Sequence, residues 1–514
     1  MNDAAIRRVV IVGGGTAGWM AAALLARGVG RACEIHLVES TEIGTVGVGE
    51  ATIPQIQHIN AFLGIDEDEL MRFTHGTYKL GVQLNDWGRV GDSYLHAFGD
   101  VGLPLGLLPF HNYWLRSRAR GDAHSLWAYS LNAVAAASNK FARVDKVPNT
   151  PLGGIRYAYQ FDAARYARYL RERIPEGAVK RIEGKVVEVK LRGEDGFIES
   201  LRLESGESVA GDFFIDCSGF RSLLLAGKLG AEWEDWSKWL PCDRALPVPT
   251  ERCGDLTPYT RVSAMDAGWR WRIPLQHRTG NGYVFSSRFI DEGKAREELL
   301  ASLDEPMLAE PRLLKFQAGR RVSSWRRNCV ALGLSSGFLE PLESTSIYLI
   351  QIGIMHLLPL LPTRTYDERL VEEYNLRMDL EYERIRDFLI LHYHLTSRDD
   401  TELWRYCRSM EVPESLTRKM RLFRHSGVVE QYRDGLFTPP SWLAVYLGQG
   451  LRPEHYNPLA DALPLERMLG ELDQLHGDIN DRVGEMPRHA SVVARYASSE
   501  QASDTLLHEP EARM

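Results

Sequence analysis

The sequence is poor in cysteine, has no basic cluster, and contains no apolar run long enough to cross a bilayer. Its six cysteines are scattered over 514 residues, at Cys33, Cys217, Cys242, Cys253, Cys329 and Cys407, and no two have CxxC spacing. That argues against a zinc or dithiol site, so no metal is expected, and the residues read as reduced thiols of a cytoplasmic protein. The net charge is −8 and lysine and arginine form no long run, which gives nucleic acid little to hold. The most apolar stretch, residues 347–361, is interrupted by Gln351 and His356 and ends in prolines. It falls short of the roughly 20 residues a spanning helix needs and reads as a buried helix, so no membrane partner is expected. The N-terminal MNDAAIRRVVIVGGG runs straight into a strand without a signal-peptide pattern. No internal repeat or long linker is visible.

What is present begins at the N-terminus. RRVVIVGGGTAGWMAAALLARG reads as strand, tight turn and helix. Gly13, Gly15 and Gly18 form GxGxxG, with Thr16 and Ala17 inside it. Such glycines allow the turn and let a pyrophosphate approach the helix N-terminus. A second strand, EIHLVES, reaches Glu39, 21 residues after Gly18, where an acid can bond a ribose hydroxyl. A second glycine-rich strap follows, GTVGVGEATIP, containing Val48, Gly49, Glu50 and Ala51. It suits a cofactor whose flat ring is approached closely by backbone.

Far downstream, DFFIDCSGFRSLL reads as a buried strand and turn, and NCVALGLSSGFLEPLEST as strand, glycine-rich turn and helix. This order resembles the glutathione-reductase-like class of FAD enzymes. The resemblance implies an α/β fold, a Rossmann FAD-binding module with Val186, Leu334 and Ile347 among its cofactor residues. Leu334 stands where that class usually carries an aspartate. No second GxGxxG–strand–acid unit appears, so either reduced flavin comes from elsewhere or NAD(P)H visits without a domain of its own.

GWRWRIPL holds Trp269, Trp271, Ile273 and Pro274 as WxWxIP. On a strand, residues two apart share a face, so both indoles cover one surface. Read in order, GGGTAGW, GVGEATIP, WxWxIP and EPLEST resemble the FAD-dependent tryptophan halogenases over residues from about 8 to about 460. The resemblance implies an FADH2-dependent enzyme that uses O2 and chloride or bromide to make hypohalous acid and halogenate an electron-rich ring. It also implies a separate flavin reductase, and a homodimer is compatible with it. Lys79, among Tyr78, Leu80, Val82, Leu84 and Trp87, matches the catalytic lysine. Such an amine presents the halogen either by hydrogen bonding or as a haloamine. Glu343 matches the catalytic glutamate, which can orient hypohalous acid and remove the ring proton.

Ser344 to Ser346 are candidate N-caps for a helix starting near Ile347. A free helix N-terminus suits an anion, and the residues matching Thr345 and Ser346 hold halide through backbone. The family more often has glycine at Ser346. Glu340 reads as structural. His392 and His394 invite a metal-pair reading, but residues two apart on a helix point to different sides.

His96 and Phe98 match the pair that flanks the substrate ring, and Phe437 falls near the stacking aromatic position. The tyrosine-pair-and-glutamate clamp that free-tryptophan halogenases use is missing from VEQYRDGLFTPPSWLAVYLGQG, and Ser441 replaces an asparagine. Indole or an indole derivative is therefore expected rather than free tryptophan. The alternatives are a flavin-dependent hydroxylase and a non-catalytic flavin-binding protein. The expected organisation is a discontinuous FAD-binding module over residues 1–360, with 90–150 lining the substrate channel. A mostly helical substrate cap over 361–505 and a polar tail, 506–514, complete it. After about Glu485 the polar sequence reads as a surface helix or a frayed end.

Overall fold

The computed structural model describes residues 5–43, 49–147, 150, 152–432 and 435–497. Val48, the side chain of Glu50 and the 506–514 tail lie outside the described residues.

The first apolar run forms the strand Arg8–Val12 inside a six-stranded sheet. Phe213–Asp216 and Glu34–Glu39 flank it in parallel, Lys180–Glu183 extends one side, and Cys329–Ala331 extends the other. Only the edge strand Trp325–Arg326 runs antiparallel. Strands buried on both faces need near-continuous apolar sequence, which VVIV supplies. The helix Thr16–Val29 packs Met20 to Leu25 onto this sheet. A Cβ on Gly18 would stand 1.8 Å from the carbonyl oxygen of Gly13, so glycine is what lets the helix close onto the turn.

A seven-stranded sheet runs Leu314–Lys315, Arg244–Thr250, Thr279–Phe285, Gly268–Pro274, Thr260–Met265, Gly81–Asn85, Ser93–Ala97. Its Gly268–Pro274 strand carries WxWxIP, and the two indoles share a face with ring centroids 6.2 Å apart. Between the sheets, Gly49–Ala51 and Thr77–Lys79 both pair with Ala158–Asp162. The glycine-rich strap and the lysine strand therefore share one partner.

After residue 361 the chain is mostly helical, with a 27-residue helix, Glu368–His394, that the Asp367 side chain caps. Among the described residues no helix is long and apolar enough to cross a membrane. Trp87, Trp236, Trp269, Trp325, Trp404 and Trp442 are wholly buried, so much of the high tryptophan usage is core packing. The segment after Glu485 differs from expectation. Its helix His489–Ala497 docks on the lysine strand, where His489 Nε2 accepts from the Tyr78 N–H at 3.1 Å and the Tyr496 and Tyr78 hydroxyls meet at 2.8 Å. Polar residues in that segment are used for these buried bonds, which composition alone does not reveal.

A Cβ on Gly282 would lie 2.1 Å from the indole of Trp271. Gly282→Ala is expected to cost about 1–3 kcal/mol of stability by overpacking. Urea and thermal unfolding midpoints check this, and unchanged midpoints would mean that the indole does not lie over that glycine.

Candidate active site

Lys79 ends the strand Thr77–Lys79 and is wholly buried, as are Tyr78, Leu80 and Trp87. Its Nζ donates to the Thr52 carbonyl at 3.0 Å and to Ser344 Oγ at 2.9 Å. It also lies 5.4 Å from the ring centroid of Phe98. Burial pushes the amine down to about 7, with the charge of Glu343 acting against the shift. A lysine held this way loses its proton far more readily than an exposed one.

The E-P-L-E-S-T turn has an unusual backbone. Glu343 and Ser344 have φ of 62° and 59°, a left-handed conformation that costs of order 1–3 kcal/mol for each non-glycine residue. The helix begins at Ser346 with Thr345 as N-cap, and no side chain caps it. This corrects the expectation that the hydroxyls serve as caps. The left-handed turn takes the Ser344 hydroxyl away from the helix and onto Lys79, leaving the helix N-terminus without a side-chain acceptor.

The turn buries both of its carboxylates. Glu343 Oε2 meets His96 Nδ1 at 2.9 Å and Oε1 meets His392 Nε2 at 3.0 Å. Burial would raise this carboxyl, but its interactions with His96 and His392, at hydrogen-bond distance from its two oxygens, outweigh it and hold the group well below the usual carboxylate range. Glu340 has the opposite surroundings. Burial pushes it up to about 8, against hydrogen bonds from Tyr393 and Trp269. The Tyr393 hydroxyl donates to Glu340 Oε2 at 3.0 Å and accepts from Trp269 Nε1 at 3.0 Å. Oε1 has no partner among the described residues, as suits a protonated acid. WxWxIP thus braces the first glutamate of the turn through one tyrosine.

An aromatic wall stands beside the pair. Phe437 stacks on Phe388 with centroids 3.8 Å apart, and His96 lies 5.6 Å from Phe388 and 6.3 Å from Phe437. The structure thus brings His96, Phe98, Phe437, Lys79 and Glu343 together.

The dinucleotide turn is open. Residues 13–17 are partly exposed between a buried strand and a buried helix face. Gly15 is the N-cap without a side-chain bond, and no acid lies in the first turn. Free N–H groups with no internal acceptor fit the pyrophosphate of a dinucleotide. Glu39 accepts from Arg181 on one oxygen and from Trp19 Nε1 at 3.3 Å on the other, which leaves lone pairs for a ribose hydroxyl. Gly333, with φ of 62°, brings the turn holding Leu334 against Ala17: a Cβ there would lie 3.0 Å from the Ala17 Cβ. Ile347 is buried one residue into the helix that follows the E-P-L-E turn. Val186 lies apart in a small antiparallel sheet, packed on the cluster that includes Val12 and Val38.

The tryptophan halogenase family model matches residues 8–465. The chain belongs to the tryptophan halogenase family. Its members are flavin-dependent enzymes of the oxidoreductase type. The tryptophan 6-halogenase of Streptomyces toxytricini is 36% identical over 91% of this chain and 94% of its own length. Two solved flavin-dependent halogenases are each 46% identical with a TM-score of 0.92. One, from Brevundimonas sp. BAL3, is matched over 96% of this chain and 100% of that one. The other, from Xanthomonas campestris, is matched over 96% and 98%. In this halogenase the FAD-binding α/β fold and the helical C-terminal region are those of its structural neighbours.

Sequence reasoning missed His392, whose ring lies on the Glu343 carboxylate. The signal was available: Ile385, Phe388 and His392 recur at helical spacing on one buried stripe. It also missed Tyr393, the next residue, which holds the other carboxylate.

The state of Glu340 has a measurable consequence. Its folded value of about 8 lies above the ordinary 4.5. Between these values the folded chain keeps a proton that the unfolded chain has lost, so stability falls as pH rises through that window. Glu340→Gln removes this dependence. The thermal midpoint of the variant should gain on that of the parent from about pH 5 to about pH 8. A constant difference would show that Glu340 is charged in the folded protein.

Proposed function

We propose that this halogenase uses FADH2, delivered by a separate flavin reductase, with O2 and chloride or bromide, to halogenate indole or an indole derivative rather than free tryptophan. The observation that carries the reading is the dry pair of Lys79 and Glu343 beside the aromatic wall of His96, Phe98 and Phe437.

Gly13, Gly15, Thr16, Ala17, Gly18 and Glu39 would hold the dinucleotide, with Gly49, Ala51, Leu334 and Ile347 nearer the flavin ring. When bound, reduced flavin with O2 supplies the oxidising equivalents that turn halide into hypohalous acid. The uncapped N–H groups at Thr345 and Ser346 suit the halide. Lys79, as a neutral amine, accepts or hydrogen-bonds the electrophilic halogen and presents it to the ring. The ring carbon bonds the halogen as the halogen's bond to the Lys79 nitrogen, or to the oxygen of hypohalous acid, breaks and its electron pair stays on that nitrogen or leaves as hydroxide. The Glu343 carboxylate stabilises the cationic ring, and the displaced ring proton passes by way of a Glu343 oxygen to that nitrogen or hydroxide. Burial of both groups keeps water from consuming the electrophile.

Among the described residues of the region where a zwitterion clamp would sit, two polar side chains are held by neighbours. Glu430 pairs with Arg418 and Lys419, and the Tyr432 hydroxyl donates to Asp387 at 2.7 Å. Side chains held in this way are less free to form the charge-assisted bonds that select an amino-acid backbone.

The test offers indole and free tryptophan together, with FAD, NADH, a flavin reductase, O2 and equal chloride and bromide. Mass spectrometry should find halogenated indole well in excess of halogenated tryptophan. Lys79→Ala should lower halogenation at least about 100-fold while still binding FAD. A predominance of halogenated tryptophan would overturn the substrate reading, and an undiminished rate in the variant would overturn the role of Lys79.

A further inference from the structure

The contacts of His392 fix more than its position. Its Nδ1 lies 2.8 Å from the Phe388 carbonyl oxygen, and its Nε2 lies 3.0 Å from Glu343 Oε1. A carbonyl only accepts, so Nδ1 must carry a hydrogen. A neutral imidazole with its hydrogen on Nδ1 would turn the lone pair of Nε2 onto a carboxylate oxygen, with two acceptors facing each other. A proton must therefore lie on the line between Nε2 and Oε1. The other oxygen of Glu343 accepts from His96 Nδ1 at 2.9 Å, which the neutral tautomer of His96 can supply.

We infer that His392 is a positioning residue for the halogenation, present as an imidazolium that shares its proton with Glu343 and takes up that carboxylate's charge. The inference rests on the reading of Glu343 as the working carboxylate. Its chemical consequence falls on Lys79. An amine can receive an electrophilic halogen only through its free lone pair, and an ammonium has none. If Glu343 were an unmatched buried anion, its field would favour the ammonium. With the anion matched by His392, the amine is left with the Thr52 carbonyl and the Ser344 hydroxyl, both uncharged.

The titratable groups that face this pair are His96 and Tyr94 from the Ser93–Ala97 strand, Lys79 from its own strand, and Glu340 with Tyr393 at the far end of the turn. Glu340 as a neutral acid adds no second anion. Tyr94 is also neutral, since burial raises its phenol far above the usual range.

The decisive measurement is 15N NMR of histidine ring nitrogens in the flavin-free protein at about pH 7.5, above the ordinary histidine value of about 6.5. One histidine should show both ring nitrogens protonated. It is assigned by its loss in His392→Gln or, should that variant not fold, by coupling across the hydrogen bond to a 13C-labelled Phe388 carbonyl. A bare Nε2 on that ring would overturn the inference, whatever the enzyme is found to halogenate.

Turnover gives the second arm. His392→Leu should lower kcat for halogenation roughly tenfold to a hundredfold, the effect of losing a hydrogen bond to a charged group, with little change in KM for the aromatic. His392→Gln, whose amide can donate to Glu343 but carries no charge, should recover only part of the loss. Equal kcat in the leucine variant, or full recovery in a folded glutamine variant, would count against the inference. If the parent halogenates neither indole nor tryptophan, the substrate reading fails, and the NMR result still decides the charge of His392.

Discussion

The burial of an amine and a carboxylate close together is the constraint on which the rest of this structure depends. Neither group tolerates that environment alone: an isolated buried charge is strongly disfavoured and tends to neutralise instead. The two groups take different routes. Lys79 gives up its proton readily and settles on two neutral oxygens. Glu343 remains an anion because each of its oxygens meets a histidine. Three chain segments distant in sequence must converge to achieve this. The Thr77–Lys79 strand brings the amine, the Ser93–Ala97 strand brings His96, and the end of the Glu368–His394 helix brings His392. The left-handed conformation of Glu343 and Ser344 is the local strain that lets one turn face all three.

WxWxIP has a physical place in this scheme. Trp269 and Trp271 face the same side of their strand, and the indole N–H of Trp269 anchors Tyr393, which anchors Glu340. Tyr393 is packed between Trp87 and Trp404, with ring centroids 5.3 and 6.0 Å away, so its hydroxyl has little freedom. The strained turn is thus gripped at its first glutamate by Tyr393 and at its second by His392, adjacent residues on one helix. A strand motif some 70 residues before the turn is therefore tied to it by hydrogen bonds rather than by sequence proximity.

Much of the fold was legible because its signals are local. GxGxxG lies between a β-branched run and a good helix former, and the buried strand segments at residues 213–215 and 329–331 are continuous apolar runs. Lys79, Glu343, His96 and Phe98 were legible through motifs, and the structure brings them within reach of one another. His392 was not, because the question asked of HYH was whether two histidines could share a metal. The geometry that rejects the pair, residues two apart on a helix, also leaves one of them free to face the site. The hydroxyls after Glu343 misled for a different reason. Ser and Thr before an apolar run ordinarily cap a helix. Here the backbone sign at Glu343 and Ser344 redirects the Ser344 hydroxyl to Lys79, and no composition rule reports the sign of φ at a glutamate.

Opposite charges buried side by side ordinarily pair with each other, and such a pair would have been the simplest arrangement here. It would also be chemically unhelpful. A lysine locked to a carboxylate is an ammonium with no lone pair to offer. In this site the carboxylate is partnered by imidazoles and the lysine by neutral oxygens, so the two groups are close without being tied. In the proposed reading the separation serves two needs: it leaves the amine's lone pair open to an electrophile, and it holds the carboxylate in place, its charge matched by the histidines, where a ring proton can be relayed. Proximity through Ser344, with charge matched elsewhere, serves both needs, and it explains why the turn accepts left-handed strain at two residues that are not glycine.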